Sequence, residues 1–356
     1  MIDNIFLVFL TALGCTFTVT LFILWTKSWH GHWTNDHGQG IQKFHDSPTP
    51  RVGGLGIILG LLATVIICYR PTALVLLKPV ILAGMVPFFF GFGEDITKKV
   101  SVRDRLLATM VGAGVYIAMT GITLTRFDLP YIDDLMMLEW VAICLTIFCV
   151  AGMTNAINIL DGFNGLASGV SLIQFFCLVL IAYVHGDLDL VYFGIIFMGV
   201  MIGFILLNYP FGKIFLGDAG AYFIGFALAW FAILLPVRHE SVSPWASLLI
   251  CAYPVIEALY SIYRRVFLGN NPGAPDNLHL HSLIKTRLVR RYCKKTPAWL
   301  KNALVAPGIW IVSLFFGLYA FQFSGQTELL IMAFLLFVIG YHLTYRKLVE
   351  LPEYLS

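Results

Sequence analysis

Long apolar runs constrain the fold of this chain more than any other feature of its sequence. Of its 356 residues, 59% are hydrophobic and only 12% are charged, whereas soluble domains carry about 25% charged residues. A helix needs about 20 apolar residues to cross a bilayer, and helices are the usual spanning element because lipid offers the backbone no hydrogen-bond partner. The sequence therefore predicts an all-α, polytopic integral membrane protein and excludes a disordered chain.

The apolar runs predict about eleven spans with little room for a soluble domain. We therefore predict a single transmembrane catalytic domain over residues 1–356. Six of the seven cysteines lie inside the runs without paired spacing, which predicts neither a disulfide framework nor a zinc site. The predicted spans cover residues 4–26, 53–69, 79–93, 106–125, 137–154, 166–184, 189–208, 219–237, 244–262, 303–320 and 328–345.

Lysine and arginine are distributed unequally between alternate connections. One set of connections holds nineteen of them, and the other holds only Arg70, Lys78, Arg126 and Arg238. Because cytoplasmic connections carry the excess of positive charge, we predict that the N-terminus lies outside and the C-terminus lies in the cytoplasm. The longest predicted cytoplasmic connection is then 263–302. A net charge of +3 is too small to indicate a nucleic-acid partner.

Two segments on the predicted cytoplasmic side combine carboxylates with amides or glycines. Residues 155–165 read Asn-Ala-Ile-Asn-Ile-Leu-Asp-Gly-Phe-Asn-Gly. Asn155, Asn158 and Asp161 are three apart, so they are neighbours along one side of a helix end, where polar groups in an apolar run need a partner. Asp218 is flanked by glycines at the start of a span. It suits either a Mg²⁺ ion shared with substrate phosphates or a helix N-cap, and the helix N-terminus itself favours phosphate.

A pair of adjacent carboxylates stands where the third predicted span leaves the membrane. Glu94 and Asp95 are followed by Lys98. Two neighbouring carboxylates at an apolar boundary are costly to ionise together, and a metal ion or a nearby lysine relieves that cost. An ordinary solvated helix end is the alternative interpretation.

Two further segments supply cations and imidazoles. Residues 44–54 contain two prolines, Arg51 and a glycine pair; arginine can grip a phosphate, and the glycines allow close backbone approach. His279 and His281 lie in the 263–302 connection and fit phosphate contact or proton transfer. The alternatives are a stiff interfacial loop and two exposed histidines. Together, the five segments offer the charge neutralisation and positioning that phosphoryl transfer needs.

At these segments the chain resembles the polyprenyl-phosphate N-acetylhexosamine 1-phosphate transferase family. That family includes the bacterial enzymes that start O-antigen, enterobacterial common antigen and teichoic acid synthesis, and the peptidoglycan enzyme phospho-N-acetylmuramoyl-pentapeptide transferase is a relative. The resemblance lies in 155–165 (family pattern N-A-x-N-x-x-D-G-x-D-G), 215–220 (F-M-G-D-x-G), 94–98 (D-D-x-x-K), 279–281 (the inner histidine motif) and 49–54 (P-x-x-G-G).

The resemblance implies a transferase of the bacterial inner membrane with its active site on the cytoplasmic face. Such enzymes move a sugar 1-phosphate from a UDP-N-acetylhexosamine to undecaprenyl phosphate, release UMP and require Mg²⁺, for which Mn²⁺ is an alternative. The product initiates a cell-surface polysaccharide such as the O-antigen of lipopolysaccharide. N-acetylglucosamine is the default sugar, and the sequence leaves open both the sugar and a homodimeric state.

The resemblance also assigns roles to individual residues. Asp218 would bind the metal ion, Phe215 would stack on uracil, and Asp161 with Asn158 would organise the diphosphate. The implied catalytic residues are Glu94, Asp95, Lys98 and Asp161, and the implied substrate-binding residues are Thr49, Arg51, Asn155, Asn158, Gly162, Asn164, Phe215, His279 and His281.

Three departures from the family pattern bear on the chemistry. Glu94 stands where an aspartate is usual, Asn164 replaces the second aspartate of the D-G-x-D-G pattern, and Ser282 stands where close relatives often carry a third histidine. The last departure favours an aminosugar substrate over a muramoyl-pentapeptide. A transporter of an anionic solute is the rival class, but transporters place charges near the midplane and often show inverted repeats, neither of which the sequence displays.

Overall fold

The chain forms a bundle of α-helices. The computed structural model describes residues 2–36, 48–68, 71–267, 269 and 278–352. The helices are α1 (Ile2–Trp25), α2 (Lys27–Thr34), α3 (Gly53–Ile67), α4 (Pro71–Thr97), α5 (Val102–Thr120), α6 (Pro130–Met136), α7 (Glu139–Leu160), α8 (Leu166–Val184), α9 (Leu188–Asn208), α10 (Gly217–Arg238), α11 (Pro244–Ile250), α12 (Ala252–Phe267), α13 (Leu280–Leu283), α14 (Arg290–Tyr292), α15 (Ala298–Ala303), α16 (Ala306–Gln322) and α17 (Thr327–Glu350), with a π-helical turn at Ile284–Val289.

The helices coincide with the predicted spans. Eight described helical segments are long and apolar enough to cross a membrane, and α11 with α12, bent by 76°, makes a ninth if the pair is one span. Helix α3 is apolar but has only 15 residues, and α5 carries charged residues in its first turn. The all-α polytopic fold is thus confirmed, whereas about eleven spans and the orientation of the termini stay predictions.

Strand structure in the described residues is confined to one short pair. Strand β1 (Asn35–Asp36) pairs antiparallel with β2 (Thr49–Pro50), which places Asn35 opposite Pro50. This pair holds residues 49–50 of the 44–54 segment against the end of α2, just before α3 begins. The first part of that segment, 44–47, lies outside the described residues, as does part of the 263–302 connection.

Helix α10 occupies the centre of the bundle and packs against α3, α4 and α7. Small residues permit close packing of other pairs, as is usual between membrane helices. A Cβ atom at Gly199 would lie 2.6 Å from the carbonyl oxygen of Phe9, and one at Gly203 would lie 2.5 Å from that of Leu13. Glycine on α9 therefore sets the separation between α1 and α9.

The connections meet at two opposite ends of the bundle, sorted as the charge distribution predicts. At one end, Nη2 of Arg126 donates to the carbonyl oxygen of Glu240 at 2.7 Å. The hydroxyl of Thr327 also contacts Asp128 Oδ2 and Ser243 Oγ, each at 2.8 Å. These residues all belong to connections predicted to lie outside. Connections of the lysine- and arginine-rich set meet at the other end, where the predicted site residues gather.

Cysteine labelling tests which end faces the cytoplasm. In a variant lacking the seven native cysteines, we expect Lys295→Cys to react with a membrane-impermeant maleimide only after the membrane is opened. We expect Glu240→Cys, at the opposite end, to react in intact spheroplasts. Both side chains are exposed, so accessibility alone does not separate them. The reverse pattern of labelling would overturn the orientation predicted from the positive charges.

Candidate active site

A cavity of about 940 Å³ opens where the connections of the lysine- and arginine-rich set meet. All predicted site residues line it except Thr49, Asp95 and Lys98. The fold thus brings residues that are far apart in the sequence to one place. The predicted residues that line the cavity are Arg51, Glu94, Asn155, Asn158, Asp161, Gly162, Asn164, Phe215, Asp218, His279 and His281.

The glycine pair at the start of α3 is hydrogen-bonded to the segment that precedes α10. The amide of Gly53 donates to the carbonyl oxygen of Phe215 at 3.0 Å, and the amide of Gly54 donates to that of Leu216 at 2.9 Å. A Cβ atom at Gly54 would lie only 2.4 Å from the backbone nitrogen of Gly220. The close backbone approach predicted for these glycines is therefore made between two segments of the protein, and it fixes Arg51 relative to α10.

Asp95 caps the N-terminus of α10. Its Oδ1 and Oδ2 accept hydrogen bonds from the amides of Asp218 and Ala219, each at 2.9 Å, and the residue is 1% exposed. The amide of Gly217 donates to Asp161 Oδ2 at 2.9 Å. The amides that the sequence offers to a phosphate are thus engaged by two carboxylates of the protein itself. Asp95 acts on the site by holding the start of α10.

Two arginines converge on the carboxylate of Asp218. Nη2 of Arg51 donates to Asp218 Oδ1 at 2.6 Å, Arg105 donates to Oδ2, and Nε of Arg51 lies 3.4 Å from Asp95 Oδ1. Arg105 is not among the residues that the motifs predict for the site, although its position just before an apolar run could mark it. Both guanidinium groups line the cavity and can bind phosphate oxygens there.

The oxygen ligands at this end of the cavity suit a magnesium ion. Burial raises the pKa of Asp161 well above its ordinary range, and the carboxylates of Asp218 and Asp95 add to the rise against the opposing charge of Arg51. A divalent cation would relieve that concentration of negative charge. Within the described ranges, no three His, Cys, Asp or Glu side chains form a metal site by themselves. Mg²⁺ usually needs only one or two carboxylates plus substrate phosphates, so Asp218 and Asp161 fit that use.

The amides of the 155–165 segment shape the wall of the cavity. Nδ2 of Asn155 donates to Thr109 Oγ1 at 3.1 Å, and Nδ2 of Asn164 donates to the carbonyl oxygen of Pro210 at 2.9 Å. Because an ionised aspartate could not donate to that carbonyl, the hydrogen bond accounts for asparagine at 164. A Cβ atom at Gly162 would meet no atom within 4 Å, so this position leaves space in the cavity.

The three predicted residues that do not line the cavity support its edge. Thr49 lies in β2 and is 4% exposed. Lys98 has a φ of 57°, and its Nζ donates to the carbonyl oxygen of Asp95 at 2.7 Å. Glu94, in contrast, lines the cavity, where its Oε2 accepts a hydrogen bond from the amide of Val100 at 2.9 Å. The adjacent carboxylates therefore lie in different surroundings. That of Glu94 lies at the cavity, whereas that of Asp95 lies at the buried start of α10.

The two histidines share a carboxylate that sequence reasoning missed. Nδ1 of His279 lies 3.0 Å from Glu257 Oε1, and Nδ1 of His281 lies 3.7 Å from Glu257 Oε2. Glu257 is the one acidic residue in the predicted span 244–262. Because carboxylates inside spans are rare and often functional, its position alone could have marked it.

Beyond its charged end, the cavity is lined by apolar side chains of α5, α7, α10, α11 and α12. It reaches Phe127 and Trp245, close to the end of the bundle that carries Arg126. Several of the apolar lining residues are themselves more than a third exposed, so this part of the cavity opens to the surroundings. Those residues are Leu106, Met110, Phe148, Leu259 and Ile262.

Comparison with known proteins supports the resemblance drawn from the motifs. Residues 77–236 match the family model described as glycosyl transferase family 4. The chain is 28% identical over 245 residues to a probable undecaprenyl-phosphate N-acetylglucosaminyl 1-phosphate transferase of Bacillus subtilis, covering 67% of this chain and 66% of the relative. It is 29% identical over 258 residues to the undecaprenyl-phosphate alpha-N-acetylglucosaminyl 1-phosphate transferase of Escherichia coli K12, covering 68% and 67%.

The matched segment contains most of the motifs that line the cavity. It includes Glu94, Asp161 and Asp218, whereas Arg51 and the two histidines lie outside it. The chain spans about two thirds of the length of the relatives it matches. The resemblance drawn from the motifs is confirmed by the match of residues 77–236 to the glycosyl transferase family 4 model and by the similarity to these two relatives.

Proposed function

We propose that this protein transfers an N-acetylhexosamine 1-phosphate from a UDP-sugar to undecaprenyl phosphate and releases UMP. The observation that carries the proposal is the division of one cavity into a charged end and an apolar remainder. The diphosphate of a nucleotide sugar would bind at the charged end, and a polyprenyl chain would lie in the apolar remainder. The names of the relatives in Bacillus subtilis and Escherichia coli support the same lipid and N-acetylglucosamine as the sugar.

The charged end supplies groups for the donor. Arg51 and Arg105 would bind oxygens of the diphosphate. Their hydrogen bonds to Asp218 hold both guanidinium groups at the cavity. Held by Asp218 and Asp161, Mg²⁺ would neutralise the diphosphate and polarise the phosphorus under attack. Phe215, on the cavity wall just before the first turn of α10, would stack on the uracil ring.

The acceptor would approach from the apolar part of the cavity. An oxygen of the lipid phosphate forms a bond to the β-phosphorus of the UDP-sugar, and the bond from that phosphorus to the bridging oxygen breaks, so that UMP leaves with that oxygen. Glu94 lines the cavity at the boundary and would take the remaining proton of the lipid phosphate. We place this chemistry on the cytoplasmic face of a bacterial cytoplasmic membrane, following the positive charges.

A panel of donors tests the proposal. Purified protein, undecaprenyl phosphate and Mg²⁺ should release UMP from UDP-N-acetylglucosamine, and release should require the lipid. UDP-N-acetylgalactosamine and UDP-linked deoxy-aminosugars establish how strictly the sugar is selected. Uptake of a nucleotide sugar into proteoliposomes without any UMP would instead favour the transporter.

Removal of the Phe215 ring should weaken donor binding selectively. Stacking of a base on an aromatic ring is worth about 1–3 kcal/mol, so Phe215→Ala should raise KM for the UDP-sugar about tenfold or more, with little change in KM for undecaprenyl phosphate. Phe211→Ala is the matched control, since that ring is 53% exposed and packs on Trp299. Equal changes in both KM values for Phe215→Ala would indicate a packing role instead.

A further inference from the structure

We infer that Glu257 is the positioning residue of the His279–His281 pair: it fixes the proton on Nδ1 of both rings and turns their Nε2 atoms toward the cavity. The geometry of this inference rests on the structure, and its consequence for activity rests on the proposed function. Glu257 lies on α12, is 1% exposed and is not among the described residues that line the cavity. It can therefore act on a substrate only through its neighbours.

Each oxygen of the Glu257 carboxylate contacts one histidine. Oε1 lies 3.0 Å from Nδ1 of His279 and accepts a hydrogen bond from the amide of Leu280 at 3.1 Å. Oε2 lies 3.7 Å from Nδ1 of His281 and accepts from the Tyr253 hydroxyl at 3.3 Å. That hydroxyl also lies 3.4 Å from Nδ1 of His281, so it bridges the longer of the two contacts.

The two imidazole rings form an ordered pair. Their centroids are 5.2 Å apart and their planes differ by only 6°. The ring of His281 also makes a T-shaped contact with the ring of Phe163, with their centroids 5.5 Å apart. Because Nδ1 of each ring faces Glu257, Nε2 lies on the opposite side of the ring, and both histidines line the cavity. A carboxylate that accepts a hydrogen bond from one ring nitrogen keeps the proton on that nitrogen. The other nitrogen of the neutral ring is then a hydrogen-bond acceptor.

A merely structural role for Glu257 makes a different prediction. In that alternative, the carboxylate only fastens the start of α13 to α12 through the amide of Leu280. Burial of a carboxylate in an apolar span is costly, and a neutral amide acceptor could serve the Leu280 amide equally well. The Leu280 amide uses only Oε1, whereas the two Nδ1 atoms engage one carboxylate oxygen each.

A double-mutant cycle separates the two roles. Loss of a carboxylate that orients a metal-binding histidine typically costs 10–100-fold in affinity or activity. We expect a loss of the same order here, so Glu257→Gln should lower kcat/KM for the UDP-sugar about 10–100-fold, with little change in KM for undecaprenyl phosphate. In the His279→Ala/His281→Ala background, the same change should cost less than about threefold, because contacting residues that act together are not additive. A loss of the same size in both backgrounds would overturn the inference. Glu139→Gln, at an exposed position, is the matched control.

Nitrogen-15 NMR of histidine-labelled protein provides a readout that does not depend on turnover. Signals of His279 and His281, assigned by replacing each with glutamine, should show protonated Nδ1 in the wild type and lose that state in Glu257→Gln. Unprotonated Nδ1 on both rings of the wild type would contradict the inference even if the enzyme makes no UMP. Absence of UMP from the wild type, with the Nδ1 signature present, would instead count against the proposed function alone.

Discussion

Replacement of Asp218 by asparagine should lower kcat by at least about 100-fold, the loss expected when one key electrostatic group is removed from an active site. Asparagine keeps the size of the side chain but removes the charge on which Arg51 and Arg105 converge. It also removes a ligand that we propose for Mg²⁺. The Mg²⁺ concentration that gives half-maximal activity should therefore rise in the variant.

Two measurements keep this result interpretable. Asp134→Asn, at an exposed position near the opposite end of the bundle, should leave kcat unchanged. Thermal unfolding of Asp218→Asn should show a folded protein, because the amide of Asp218 and its hydrogen bond to Asp95 are retained. Near-normal turnover in a folded Asp218→Asn protein would contradict the assignment of Asp218 to the metal and the arginines.

Glu94→Gln and Asp95→Asn should both lose activity, but for different physical reasons. Glu94 lines the cavity, so Glu94→Gln should lower kcat at least about 100-fold by removing general-base help and should leave thermal stability unchanged. Asp95 accepts from two backbone amides of α10. Asp95→Asn turns an amino group toward one of those amides, so it should lower both activity and stability, the latter by about 0.5–2 kcal/mol for a lost helix cap.

The comparison of activity with unfolding temperature decides between the two carboxylates. If kcat of Glu94→Gln stays within about threefold of normal, Glu94 is not the base, and the lipid phosphate reacts in its ionised form, since the second pKa of a phosphate monoester is near 6. If Asp95→Asn is inactive yet as stable as the wild type, Asp95 takes part in the reaction directly. Glu94→Asp should lose activity through its shorter reach.

The sequence predicts the helical architecture well because its signal is local. Long apolar runs place each span, and polar groups such as Asp161 and Asp218 stand out because an apolar run makes them costly. The unequal distribution of lysine and arginine sorts the connections into two groups. The structure places the described members of these groups at opposite ends of the bundle. Those predictions need no knowledge of which helices touch.

Partnerships across the bundle could not be predicted in the same way. Asp95 and the amides that it caps are separated by more than a hundred residues, and Arg105 reaches Asp218 from α5. Asp95 therefore looks like half of a catalytic pair in sequence, although its oxygens are engaged by α10. The role of Glu257 depends on the 76° bend between α11 and α12 and on the return of the chain to His279. Tertiary packing determines each of these contacts, and no local pattern encodes it.

Transfer of the β-phosphorus tests the central claim most directly. With UDP-N-acetylglucosamine labelled with ³²P at the β-phosphate, transfer of a sugar 1-phosphate moves the label into the lipid and leaves unlabelled UMP. Transfer of the sugar alone would leave the label in UDP. We predict labelled lipid in an amount equal to the UMP formed, and none when undecaprenyl phosphate is omitted. Labelled UDP with an unlabelled glycolipid would contradict the account.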